Sequence, residues 1–146
     1  MRRFKPINVF NKKNRFEDGS LLIEKEWDET FEEFIKQYPK GITYTVNPVL
    51  VDALKQLIQK ARDKDIEIVL VLTPTFAEEH QYENNRSEIL GIYRTIANAF
   101  RIPFLDYSNH ALSRDQYNFY NSQHLKKSAA LEFSSILADD LLKLEP

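Results

Sequence analysis

Apolar positions follow two alternating rhythms from Pro48 onward. Leu50, Leu54, Leu57, Ile58 and Ala61 fall on one face of a 3.6-residue period, which predicts a helix. Asn47 suits its N-cap, and Pro48 suits the first helical position, where a missing N–H costs nothing. Arg62-Asp63-Lys64-Asp65 is a polar exit. The next run, Ile66-Glu67-Ile68-Val69-Leu70-Val71-Leu72, is nearly continuous and rich in β-branched residues, the pattern of a strand buried on both faces. Thr73-Pro74-Thr75 ends it, and a loop rich in Glu, His and Asn follows through Arg86. A second helix over 87–100 turns Ile89, Ile92, Tyr93, Ile96, Ala97 and Phe100 inward. The stretch 102–107 reads as a second, shorter strand, and 109–120 as polar and aromatic loop or short helix. A last helix over 126–144 places Ala130, Phe133, Ile136, Leu137, Leu141 and Leu144 on its buried stripe.

The chain before Thr45 is less regular. Glu17-Asp18-Gly19-Ser20 reads as a turn, since Asp-Gly favours positive φ. Leu21-Leu22-Ile23 reads as a short strand. Phe31, Phe34, Ile35 and Tyr38 predict a helix over 30–38, with Thr30 and Glu33 in capping-box spacing and Pro39 and Gly41 ending it. The expected organisation is one domain over 1–146, with an irregular N-terminal region over 1–45 and an α/β part over 46–146.

The order helix, strand, helix, strand, helix predicts an α/β fold: three layers, α/β/α, around a short, mostly parallel sheet. So few strands make a narrow sheet, as if part of a larger domain were missing. An exposed sheet edge invites pairing between copies, so a homo-oligomer, such as a homodimer, is expected.

Composition narrows the function. With 10 Phe, 7 Tyr and 42% hydrophobic residues the chain can bury a core. Its net charge of -2 gives no reason to expect nucleic acid or an anionic membrane surface. The absence of cysteine excludes disulfides, thiolate metal sites and cysteine nucleophiles. Only 3 glycines are present and none cluster, which argues against a phosphate-cradling loop. No apolar run reaches the roughly 20 residues of a membrane span. Met1-Arg2-Arg3-Phe4-Lys5-Pro6 has no apolar stretch behind it, so no signal peptide is expected.

Candidate chemistry gathers near the ends of the strands. In open α/β sheets the reactive groups lie beyond the carboxyl edge, which here would collect Thr73, Thr75, Asp106 and the loop before the last helix. That loop, Tyr120-Asn121-Ser122-Gln123-His124, carries a histidine suited to general-base work. The alternative is an inert, hydrogen-bonded histidine at a helix start. Asp106 can likewise cap a turn, and Asp115 can lend a carboxylate or merely face solvent. His80 and His110, with Glu78, Glu79 and Asp106, lack the i, i+4 spacing of helical zinc sites, so neither metal nor cofactor is expected. Tyr107, Tyr117, Phe119 and Tyr120 can line an acyl or carbohydrate pocket, or anchor loops.

Three strings resemble SGNH/GDSL-type hydrolases, especially the branch of DltD-like and AlgX-like cell-surface O-acyltransferases. They are Val71-Leu72-Thr73-Pro74, Ile102-Pro103-Phe104-Leu105-Asp106-Tyr107-Ser108, and Asn121-Ser122-Gln123-His124-Leu125-Lys126-Lys127-Ser128-Ala129. They span about the last two-thirds of the chain. The resemblance implies an SGNH/flavodoxin-like fold with His124 as base and Asn121 at the family's carboxylate position. It implies Thr73, Thr75, Asp106 and Tyr120 near substrate, and an acyl or carbohydrate ligand. Two departures stand out. Asn121 is neutral where the family has an acid, and no Gly-Asp-Ser nucleophile block is found. Asp18-Gly19-Ser20 has the letters in another order after a polar stretch, so Ser20 is not read as a nucleophile. The expectation is therefore an esterase- or O-acyltransferase-like domain, incomplete or inactive as this chain, and extracytoplasmic if the resemblance extends to a longer parent. The alternative is a non-catalytic domain that binds a glycan, an acyl group or a protein.

Overall fold

In the computed structural model the chain is described over residues 16–17 and 20–144, with side chains from Leu22 onward. Asp18 and Gly19, read above as a turn, lie outside the described residues, as does the side chain of Ser20. The chain is a mixture of helices and short two-stranded sheets. Strands β1 (Phe16–Glu17) and β2 (Ser20–Leu21) pair antiparallel. Helix α1 (Thr30–Gln37) forms as its spacing predicts, but not through the expected capping box. Asp28 intervenes instead: its Oδ1 accepts from both the amide and the hydroxyl of Thr30. After α1 the chain reverses at Gly41, whose φ is +72°. A Cβ there would stand 2.5 Å from the Tyr82 carbonyl oxygen, so only glycine fits.

Helix α2 (Pro48–Arg62) starts as predicted, with Asn47 Oδ1 accepting from the Val49 amide at 3.0 Å. Its apolar face is only partly used. Ile58 is 1% exposed, whereas Leu50 and Leu57 are 68% and 63% exposed. Strand β3 (Leu70–Leu72) is shorter than the apolar run containing it, and Ile66 is exposed. It pairs in parallel with β4 (Phe104–Asp106), in the register Leu70↔Phe104, Val71↔Leu105, Leu72↔Asp106. The ladder is short because β4 is: Pro103 precedes it and contributes only its carbonyl, which accepts from the Leu70 amide at 2.9 Å. Helix α3 (Arg86–Phe100) links the two strands and buries Ile96 and Ala97. Arg101 ends it in the left-handed region at φ 52°.

Helix α4 (Lys127–Leu142) buries Ala129 and Phe133, while Leu141 and Leu144 remain exposed, so the buried stripe is shorter than its periodicity suggests. Tyr107, Leu112, Ala129 and Phe133 form one core cluster, and Phe31, Phe76 and Phe119 a second. Leu125 packs against both. Tyr107 also donates its hydroxyl to Asp140 Oδ2 at 2.8 Å. Burial and that carboxylate push the phenol up to about 12. Among the described residues, no helix is long and apolar enough to cross a membrane.

Candidate functional site

The stretch 109–120, expected as loop or short helix, contains two 3-10 turns, Ala111–Arg114 and Gln116–Asn118, and then strand β5 (Phe119–Asn121). With β6 (His124–Leu125), β5 makes an antiparallel hairpin whose reversal is Ser122 and Gln123. Asn121 faces His124 across this hairpin. The asparagine side chain closes the turn: its Oδ1 accepts from the Gln123 amide at 3.1 Å, the local bond for which Asn and Asp are favoured in turns.

The same oxygen lies 2.8 Å from His124 Nδ1, and this settles the roles in the pair. A backbone N–H can only donate, so the asparagine atom it meets is the carbonyl oxygen. That oxygen can only accept, so His124 Nδ1 carries the proton. In the neutral ring Nε2 is then the bare nitrogen, the one able to take a proton from a hydroxyl or water. No hydrogen bond from Nε2 is made among the described residues. The ring is exposed and stacks on Tyr120, with centroids 5.5 Å apart and planes 16° from parallel. Asn121 thus supplies orientation and tautomer without negative charge, as the asparagine of Cys-His-Asn sites does.

The hairpin is braced from behind. The 3-10 helix Ala77–Tyr82 follows β3, and just before it the Phe76 amide donates to the Ser122 carbonyl at 2.8 Å. Buried Glu79 accepts from Gln123 Nε2 at 3.0 Å. The Asp28 amide donates to the Tyr120 carbonyl at 2.9 Å. Phe119, at 0% exposure, fixes the start of β5 in the second core cluster.

Of the other expected site residues, Thr75 and Asp106 have partners outside this hairpin. Thr73 is exposed. Thr75 Oγ1 lies 2.8 Å from His80 Nε2, and both side chains are half-buried. Burial lowers the His80 pKa, with help from Arg86, against the opposing pull of Glu83 and Asp106. Asp106 Oδ1 accepts from the Ser108 hydroxyl at 2.6 Å and its amide at 3.1 Å, while Oδ2 takes Arg94 at 3.0 Å. Burial pushes the Asp106 carboxyl up, but the Ser108 bonds and Arg94 outweigh it and hold it below its ordinary value. Asp106 is thus a turn cap and ion-pair partner. Asp115 likewise caps a turn, through the Tyr117 amide, and His110 accepts from the Leu112 amide.

Tyr120, Asn121 and His124 therefore come together, and no hydrogen bond among the described residues joins Thr75 or Asp106 to them. Of the four aromatics read as pocket-lining or loop-anchoring, Tyr107 and Phe119 sit in different core clusters, Tyr120 stacks on His124, and Tyr117 is 83% exposed. Glu79, Gln123 and the Thr75–His80 pair were not singled out as partners from the sequence. Among the described residues no group of three or more His, Cys, Asp or Glu side chains is placed to hold a metal ion. Comparison with protein-family models, with curated proteins and with solved structures finds no match to this chain.

Proposed function

We propose that this chain is an SGNH hydrolase-like domain related to esterases and O-acyltransferases, a three-layer fold incomplete as this chain, with His124 as its general base. The observation that carries this reading is the Asn121–His124 pair, which makes Nε2 the bare nitrogen of the neutral ring on an exposed residue. Asn121 orients the ring, and Tyr120 supports its face. The missing nucleophile fits an incomplete domain, as do the exposed Leu50 and Leu57 of α2.

The test is turnover of p-nitrophenyl acetate by the chain and by His124→Ala, a change at an exposed position that the fold should tolerate. A His124-dependent rate on the order of ten-fold above the variant is expected, below the roughly 10²–10⁴ that a base contributes in a complete site. Equal rates would remove the base role. They would favour the second reading, a non-catalytic domain binding a glycan, an acyl group or a protein, which the lack of a nucleophile hydrogen-bonded to His124 among the described residues supports.

A further inference from the structure

Lys126 occupies an unusual position for a lysine. Its side chain is only 10% exposed, yet its sole polar partner among the described residues is Glu26 Oε2 at 3.5 Å, at the outer limit of a hydrogen bond. An ammonium group has three donors, and burying it is unfavourable unless they are satisfied. Glu26 does little to satisfy them, because it is 97% exposed and free to turn to water. Lys126 lines a cleft of about 210 Å³ together with Glu26, Trp27, Gln116 and Tyr117. Tyr117 is 83% exposed, a large aromatic ring left in solvent beside a concavity. Trp27, which also lines the cleft, is held by edge contacts to Phe31 and Phe76 and by its Nε1 bond to Glu32 at 3.0 Å.

We propose that this cleft binds a small aromatic carboxylate. Its carboxylate takes the unspent donors of Lys126 as Glu26 swings outward, its ring lies against Trp27 and Tyr117, and Gln116 meets a polar ring substituent. The cleft is smaller than the roughly 300 Å³ of common drug-sized sites, which limits the ligand to a single ring. None of its lining residues belongs to the His124 site, so this inference stands apart from the esterase reading.

Trp27 is the only tryptophan of the chain, so its fluorescence reports on this cleft directly. The chain is titrated with 4-hydroxybenzoate, with its uncharged methyl ester, and with acetate. Saturable change in Trp27 emission is expected with 4-hydroxybenzoate, with the ester and acetate weaker by about ten-fold or more, the value of one charge-assisted hydrogen bond. Lys126→Met should lose about the same factor. Tyr117→Ala, at a position too exposed to matter for folding, should weaken binding several-fold, and its circular dichroism should match the parent. Equal binding of acid and ester, unchanged affinity in Tyr117→Ala, or no saturation with 4-hydroxybenzoate would each overturn the proposal.

Discussion

The hydrogen bond from Gln123 Nε2 to Glu79 Oε1 is the side-chain link between the 3-10 helix after β3 and the turn that carries His124. Deleting either partner alone gives a mixed answer, because Glu79→Ala also removes a buried polar group that is unfavourable to desolvate. A double-mutant cycle of Gln123→Ala, Glu79→Ala and the double variant isolates the link itself. Hydrogen bonds to a carboxylate are worth about 1.5–3 kcal/mol. Gln123 is an exposed residue, so the low end applies, and a coupling of about 1.5 kcal/mol is expected. With a urea m-value of about 2 kcal/mol/M, that coupling corresponds to roughly 0.7 M in the midpoint. In a thermal melt of a chain this size it corresponds to about 3–6 °C. Gln123→Ala keeps the backbone N–H that fixes Asn121, so the His124 tautomer should survive, and ¹⁵N spectra of the imidazole would show it. A coupling below about 0.5 kcal/mol, within the range of independent sites, would refute the claim that this bond braces the hairpin.

Two further outcomes follow from the packing and the charges. Phe119→Ala should lower stability by about 3–5 kcal/mol in urea melts, since its ring is fully buried against Phe76 and cannot be replaced by water without a cavity; a loss under about 1 kcal/mol would mean that the second cluster is not a true core. His80 is lowered from 6.5, so the folded state resists its protonation, and stability should fall as pH drops from about 7 through 6.5 and toward the lowered folded value. His80→Gln should flatten that part of the stability profile, and an unchanged slope between pH 7 and 5 would refute the assignment.

Helices were the more legible part of the sequence. A 3.6-residue apolar period with an Asn-Pro start contains nearly everything a local helix needs, and α2 begins where those residues say. Strand length was less legible. The run 66–72 is apolar enough for a long buried strand, but a ladder also needs a partner, and β4 supplies only Phe104 to Asp106. The hairpin of β5 and β6 was not anticipated because Tyr120-Asn121-Ser122-Gln123-His124 has no alternation of apolar and polar residues. Its turn rests on one asparagine oxygen, which serves both the Gln123 amide and the histidine. That shared oxygen also changes how Asn121 is understood: read from sequence as a lost acid, it is in the fold a turn residue that fixes a tautomer. The Thr75–His80 contact depends on the 3-10 helix folding back over five residues, for which the sequence carries no periodic signal.

Leu125 stands between His124 and Lys126 and, among the described residues, packs against both core clusters. A side chain shared in this way makes the two clusters one cooperative unit, because neither can loosen without uncovering it. The strand carrying the histidine, with the buried lysine that follows it at the start of α4, therefore has no route to open by itself, and its amide protons should exchange only with the slowest, globally unfolding class.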